Sequence, residues 1–257
     1  MRKELPLSTS QRSVREFYES FPCGGEEQAG DRRSALLPWW VDTLALDKAK
    51  GRVLEIACGT GLDLGFLAEC ADEAVGLDGA QRPLRVAERR LGARTNVRFS
   101  VGDAARLPFR DESFDGIWCI GALHHMPAWR QAVAEVGRVL RPGGTFRFLV
   151  YRRWALQTLI FAAGHALRPL AKRRLGSDKA VGRRTASIAE FTLLPVVHLL
   201  PEQTWLREVR TNGMQIKHVE RRDAWFPLDR AIPGLAKSDA LSEHLGRFLI
   251  VEAQKAA

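Results

Sequence analysis

The 257-residue sequence predicts an α/β fold, a mostly parallel sheet of seven strands with helices on both faces. The run Val53, Leu54, Ile56, Ala57 lacks polar alternation, as expected of a parallel strand buried on both sides. From Gly51 to Tyr151, strand-like and helix-like segments alternate five times. Such alternation closes as right-handed crossovers over a parallel sheet. Met214 to Arg221 and Arg247 to Gln254 read as two further strands. The length suits one domain with a core that buries most of its apolar surface.

Taken in order, residues 1–50 read as an N-terminal helical cap, with Val14, Phe17 and Phe21 on one helix face and a loop from Gly24 to Asp31. Residues 51–151 form the α/β core. Its second strand, AVGLD, ends at Asp78. Val97, Phe99 and Val101 alternate as a third strand that runs into Gly102-Asp103-Ala104. Phe114 to Ile120 is the fourth, followed by GALHHM. A helix with Trp129, Val133, Val136 and Leu140 on one face then stops at Arg141-Pro142-Gly143-Gly144. Residues 152–190 are an insertion. Residues 191–257 complete the same domain with a helix in PEQTWLREVRTNG, ended by Asn212-Gly213, and the last two strands.

The net charge of +9 is unevenly placed. Between Arg152 and Arg184 there are nine Arg or Lys against one acid, Asp178, so the rest of the chain is nearly neutral. A neutral domain with one basic insertion points to a local role for that insertion rather than to nucleic-acid binding by the whole surface. The first 21 residues have no apolar core of signal-peptide length, and no apolar run reaches the ~18 residues of a membrane span. A cytoplasmic protein is expected. Cys23, Cys58, Cys70 and Cys119 lack metal or redox spacing and read as small buried hydrophobes.

Gly59 and Gly61 have no Cβ, so the chain turns tightly there and passes close to a ligand. Seventeen residues beyond Gly61, Asp78 stands near the offset at which an acid takes ribose hydroxyls. A dinucleotide loop reads G-x-G-x-x-G and turns a helix N-terminus toward pyrophosphate. Here the loop is Ala57-Cys58-Gly59-Thr60-Gly61, and Glu55 beside it repels phosphate charge. S-adenosylmethionine carries no phosphate, and its sulfonium and ammonium are cationic. The loop therefore favours S-adenosylmethionine over a nicotinamide dinucleotide.

In order, VLEIACGTG, GLDGA, VGDAARLPF, FDGIWCIGALHHM and RVLRPGG closely resemble the class I S-adenosylmethionine-dependent methyltransferases, in the broad group that includes ubiquinone and menaquinone biosynthesis enzymes. The resemblance spans Gly51 to Tyr151 closely and the C-terminal part loosely. It implies a Rossmann-like fold whose last two strands form an antiparallel pair at the sheet edge. Carried over residue by residue, it implies Glu55 with Ala57, Cys58, Gly59 and Gly61 around the methionine end. Asp78 with Gly79 falls at the ribose, and Gly102, Asp103 and the Ala104 N–H fall at adenine. The backbone of Ile120 and Gly121 meets the amino group, and Tyr18 closes over the cofactor. Cys58 contributes backbone only.

The methyl donor is already activated, so the protein must align the reactants, exclude water and, where needed, remove the acceptor's proton. His124 and His125 follow the fourth strand, at the edge where open α/β sheets bind ligands. His125 is the candidate base and His124 the second choice; a hydrogen bond within the loop is the plain alternative for either. His198 reads as a partly buried structural histidine, and His165, His218 and His244 have no constellation around them, so no metal is expected. Trp39 and Trp40 read as packing residues. The insertion carries an apolar stripe of Leu156, Leu159, Ile160, Ala163, Leu167 and Leu170, broken by Pro169. It reads first as a lid over the acceptor and second as a contact with anionic membrane.

The expected acceptor is a small organic molecule methylated at oxygen or nitrogen. A lipid or quinone at a membrane surface, methylated at carbon, is the alternative. A nucleic-acid acceptor is not expected: the segment after the fourth strand has neither the Asn/Asp-Pro-Pro-aromatic motif nor a Pro-Cys nucleophile.

Overall fold

A computed structural model describes residues 8–20, 41–153, 197–222 and 248–257. Seven strands form one sheet in the order β3-β2-β1-β4-β5-β7-β6: β1 Arg52–Ile56, β2 Glu73–Asp78, β3 Val97–Val101, β4 Phe114–Ile120, β5 Leu140–Tyr151, β6 Met214–Arg222 and β7 Phe248–Lys255. The first five pair in parallel. β7 is antiparallel to both β5 and β6. The expected antiparallel pair is present, with β6 outermost and the C-terminal strand inside it.

Helices α1 Thr9–Ser20, α2 Leu62–Cys70, α3 Gln81–Leu91, α4 Trp129–Val139 and α5 Glu202–Thr211 accompany the sheet. Alternate residues of β1 feed two cores. Leu54 and Ile56 pack with Trp129, Val133, Val136, Trp205 and Val209 of α4 and α5, while Val53 packs with Leu64 and Leu67 of α2 and with Leu44 and Leu46. Period-two alternation in a strand covered on both faces dictates this split. It also places Glu55 on the α2 side, because Glu55 shares a face with Val53.

Where β1 passes into α2, Ala57, Gly59 and Gly61 all have left-handed φ, at 58°, 52° and 74°. A Cβ on Gly61 would come within 2.9 Å of the Ala87 Cβ in α3. Glycine there satisfies both the turn and the close approach of α3.

Two expectations are corrected. The fourth helix ends at Val139, not at the Arg-Pro-Gly-Gly run. Leu140 is already extended, begins β5 and pairs with Phe114; the partner of β4 then jumps from Leu140 to Thr145, so Arg141 to Gly144 form an irregular stretch within β5. Sheet pairing of Leu140 overrides its place in the helical stripe. Cys70 is exposed, unlike the buried Cys58 and Cys119, because the last residue of α2 lies off its buried face. Cys23, most of the cap and the insertion beyond Arg153, with its stripe, lie outside the described residues.

Candidate active site

The site is built at the carboxyl ends of the parallel strands and has two parts. At the cofactor end, Glu55 is buried in β1 and accepts from the backbone N–H of Leu64 in α2, but its Oε2 is buried with no hydrogen-bond partner. Burial, reinforced by the charges of Asp63 and Asp78, holds its pKa well above the ordinary carboxylate value. An unpaired buried carboxylate costs several kcal/mol to ionise. An orphaned acceptor of this kind fits the ammonium and sulfonium charges of S-adenosylmethionine.

Asp78 ends β2 and binds the loop backbone. Its Oδ2 accepts from the Gly59 N–H at 2.9 Å and its Oδ1 from the Ala80 N–H at 2.8 Å. Burial raises its pKa against these two bonds. Each carboxylate oxygen has a further lone pair for a hydroxyl donor, so holding the loop and taking a ribose diol are compatible. Gly79 and Gly102 lie together, linked by the Gly102 N–H on the Asp78 carbonyl at 3.0 Å. Past β3, Asp103 caps the short helical turn Ala104–Arg106 by accepting from the Ala105 N–H. Arg138 of α4 fixes the segment beyond that turn, donating to the carbonyls of Leu107 and Phe109, while Glu135, which pairs with Arg138, accepts from the Leu107 N–H.

Helix α1 lies against this end. Gln11 Nε2 donates to Asp103 Oδ2 at 2.8 Å, and Glu19 accepts from the N–H groups of Gln81 and Arg82 at the start of α3, at 2.6 and 2.9 Å. Against the effect of burial, these two donors hold the Glu19 carboxyl below its ordinary value. Tyr18 is half-buried, its ring edge-on to Phe17. Spaced seven residues from Gln11, it shares the same helix face. Gln11 and Glu19 were missed from sequence; the Ser8-x-x-Gln11 spacing of a capping box was the available signal.

At the acceptor end, Ile120 closes β4 and Gly121 turns the chain with φ 69°, its N–H on the Leu149 carbonyl. His124 and His125 follow in a short helical turn, both buried. Their ring centroids are 3.9 Å apart, and Tyr151, the last residue of β5, lies 4.2 Å from His124 and 5.9 Å from His125. Phe248 of β7 stacks on Tyr151. His198 belongs to the same cluster. Its backbone N–H donates to the His124 carbonyl at 2.7 Å and its ring bonds the Met126 backbone, while burial lowers its pKa. It is partly buried, as expected, yet adjacent to the histidine pair, which the sequence did not reveal. His218 is largely exposed on β6. His165, His244, Trp39 and Trp40 lie outside the described residues.

Comparison with known proteins fits this architecture. Residues 54–148 match the family described as "Methyltransferase domain". Methyltransferase GfsG of Streptomyces halstedii is 38% identical over 121 residues, 46% of this chain and 42% of that protein. Demethylmenaquinone methyltransferase of Deinococcus radiodurans is 39% identical over 110 residues, 42% of this chain and 46% of that protein. The chain thus spans about half the length of the curated relatives it matches. Among solved structures, geranyl diphosphate C-methyltransferase from Streptomyces coelicolor, in complex with S-adenosyl-L-homocysteine, superposes with a TM-score of 0.66 at 12% identity, covering 98% of this chain and all of that one. That likeness is one of fold.

Proposed function

We propose that the whole chain is an S-adenosylmethionine-dependent methyltransferase acting on a small organic acceptor at oxygen or nitrogen. The observation that carries the reading is the buried, unpartnered Glu55 Oε2 beside the Ala57–Gly61 loop, at the same carboxyl edge of the sheet as the histidine pair, which follows the neighbouring parallel strand β4. S-adenosylmethionine, when bound, supplies a methyl group on a cationic sulfur. Glu55 binds its ammonium as a charge-assisted partner, Asp78 and Asp103 take the ribose and adenine, and the loop backbone lets the sulfur lie close. His125 accepts the acceptor's proton, and Tyr151 with Phe248 walls the acceptor side and excludes water.

The insertion is the lid in this reading. Its flanking described residues support the assignment: Arg152 and Arg153 follow β5 directly, and the chain after it carries His198, which is bonded to His124. The described residues on either side of it thus lie at the acceptor end of the sheet. A second reading, a lipid or quinone acceptor taken from an anionic membrane surface and methylated at carbon, draws on the demethylmenaquinone methyltransferase relative and on the basic charge of residues 152–184. No helix among the described residues is long and apolar enough to cross a membrane.

The test is turnover. Incubation with methyl-labelled S-adenosylmethionine and a fractionated extract of the source cells should label one small product, whose identification names the acceptor and the atom. Tight cofactor binding with no labelled product in any fraction would favour a non-catalytic binding protein. Sedimentation with anionic vesicles at low salt, lost on Lys172, Arg173, Arg174→Gln, would favour the membrane reading.

A further inference from the structure

Both oxygens of Asp103 are engaged, and the two bonds differ in kind. The one from the Ala105 N–H is a local cap. The one from Gln11 Nε2 spans 92 residues of sequence and comes from a helix with no fully buried residue. The rest of the Gln11 carboxamide is committed. Its Oε1 accepts from the Ser8 N–H at 2.8 Å, while the Gln11 backbone N–H donates to Ser8 Oγ at 3.2 Å, the reciprocal capping box of a helix start. That bond fixes which end of the amide is oxygen and turns the NH2 group onto Asp103.

A primary amide NH2 and the 6-amino group of adenine are the same kind of donor, a neutral N–H aimed at a carboxylate. We propose that Gln11 is a stand-in for adenine. In the free protein its amide occupies the Asp103 oxygen that the cofactor's amino group takes, and cofactor binding displaces it. Glu19, anchored on the two N–H groups at the start of α3, keeps α1 tethered during the exchange. Breaking the Asp103 bond leaves Gln11 held only by its cap on Ser8, so the first turn of α1 is less restrained when the cofactor is bound. The protein thereby trades some affinity for an N-terminal helix that senses the adenine. Tyr18, on the same face as Gln11, moves with that helix. The inference rests on the assignment of Asp103 to adenine.

The two assignments are separable by experiment. Calorimetry with the full chain compares S-adenosylhomocysteine with its 6-oxo (inosine) analogue, which cannot donate to Asp103 from that position. Wild type should prefer the adenine ligand; equal affinity for both would remove Asp103 from adenine recognition and the proposal with it. Gln11→Ala should then bind S-adenosylhomocysteine about two- to ten-fold more tightly, the range of one exchanged hydrogen bond, with no gain for the inosine analogue. Gln11→Glu retains the capping acceptor for Ser8 and removes the donor, and should shift affinity in the same direction with helix content preserved. Weaker or unchanged adenine-ligand binding in both variants would overturn the proposal and make Gln11 a structural brace of α1.

Discussion

The two ends of the site are built differently. At the cofactor end the chemistry lies in backbone: a loop with three left-handed residues, N–H groups gathered by Asp78, and one buried acid from the central strand. At the acceptor end it lies in rings, with His124, His125, Tyr151 and Phe248 brought together from β4, β5 and β7, and with the backbone of His198, on the chain entering α5, bonded to His124. In the proposed reading, a methyl donor common to many reactions is held by a fixed backbone cradle, and an acceptor, which differs from one enzyme to another, is met by side chains that change without disturbing the sheet.

The sharpest way to break this comparison is to disable one end and watch the other. Glu55→Gln should weaken cofactor binding by about 10²- to 10³-fold, because it removes one charge of a buried pair, while leaving the histidine cluster in place. The same variant has a signed pH signature. Burial, then Asp63 and Asp78, raise the Glu55 pKa above its ordinary value of 4.5, so the folded chain binds this proton more tightly than the unfolded one. Its stabilising contribution is full below the ordinary value, falls as pH rises from there toward the raised pKa, and levels above it. The Tm advantage of Glu55→Gln over wild type, measured without cofactor, should therefore open on going from acid to neutral pH; a gap independent of pH would contradict the raised pKa of the buried acid.

His125→Ala addresses the other end. Turnover should fall about 10²-fold with cofactor affinity nearly unchanged, and the limb of the pH–rate profile near the histidine range should disappear. A loss of cofactor affinity instead would mean that the two ends are not separate. Asp78→Ala should cost about 1 to 3 kcal/mol of cofactor binding, read by calorimetry, and should slow turnover only at low cofactor concentration. Equal affinity in mutant and wild type would leave Asp78 as a brace for the Gly59 and Ala80 backbone alone. The smallest effect belongs to Ala57, whose φ of 58° is costly for a residue with a Cβ. Ala57→Gly should raise stability by about 0.5 to 1 kcal/mol in thermal unfolding, after the entropy lost by glycine is deducted, with site chemistry untouched.

Most of the cofactor end was legible because its signals are local. The spacing of Gly59 and Gly61, the acid at Asp78 and the Gly102-Asp103-Ala104 run each report a turn at the end of one strand, and a turn is dictated by neighbouring residues. The acceptor end was legible only at His124 and His125, which follow their strand directly. Tyr151 and Phe248 become neighbours through the antiparallel pairing of β5 with β7, across 97 residues, and nothing in either segment announces the other. His198 read as structural from its apolar surroundings; its bond to the His124 carbonyl arises only once the chain returns to the sheet.

The sequence by itself determined the alternation of strands and helices, the phosphate-free glycine loop and the positions of its acids, because apolar periodicity and left-handed turns are properties of short segments. Only the tertiary structure decided that Leu140 leaves its helical stripe to pair with Phe114, that the C-terminal strand lies inside β6, and that α1 reaches across to Asp103 and α3. Those outcomes depend on which surfaces meet when the sheet closes, and the energy of a contact between distant segments is not written in either one alone.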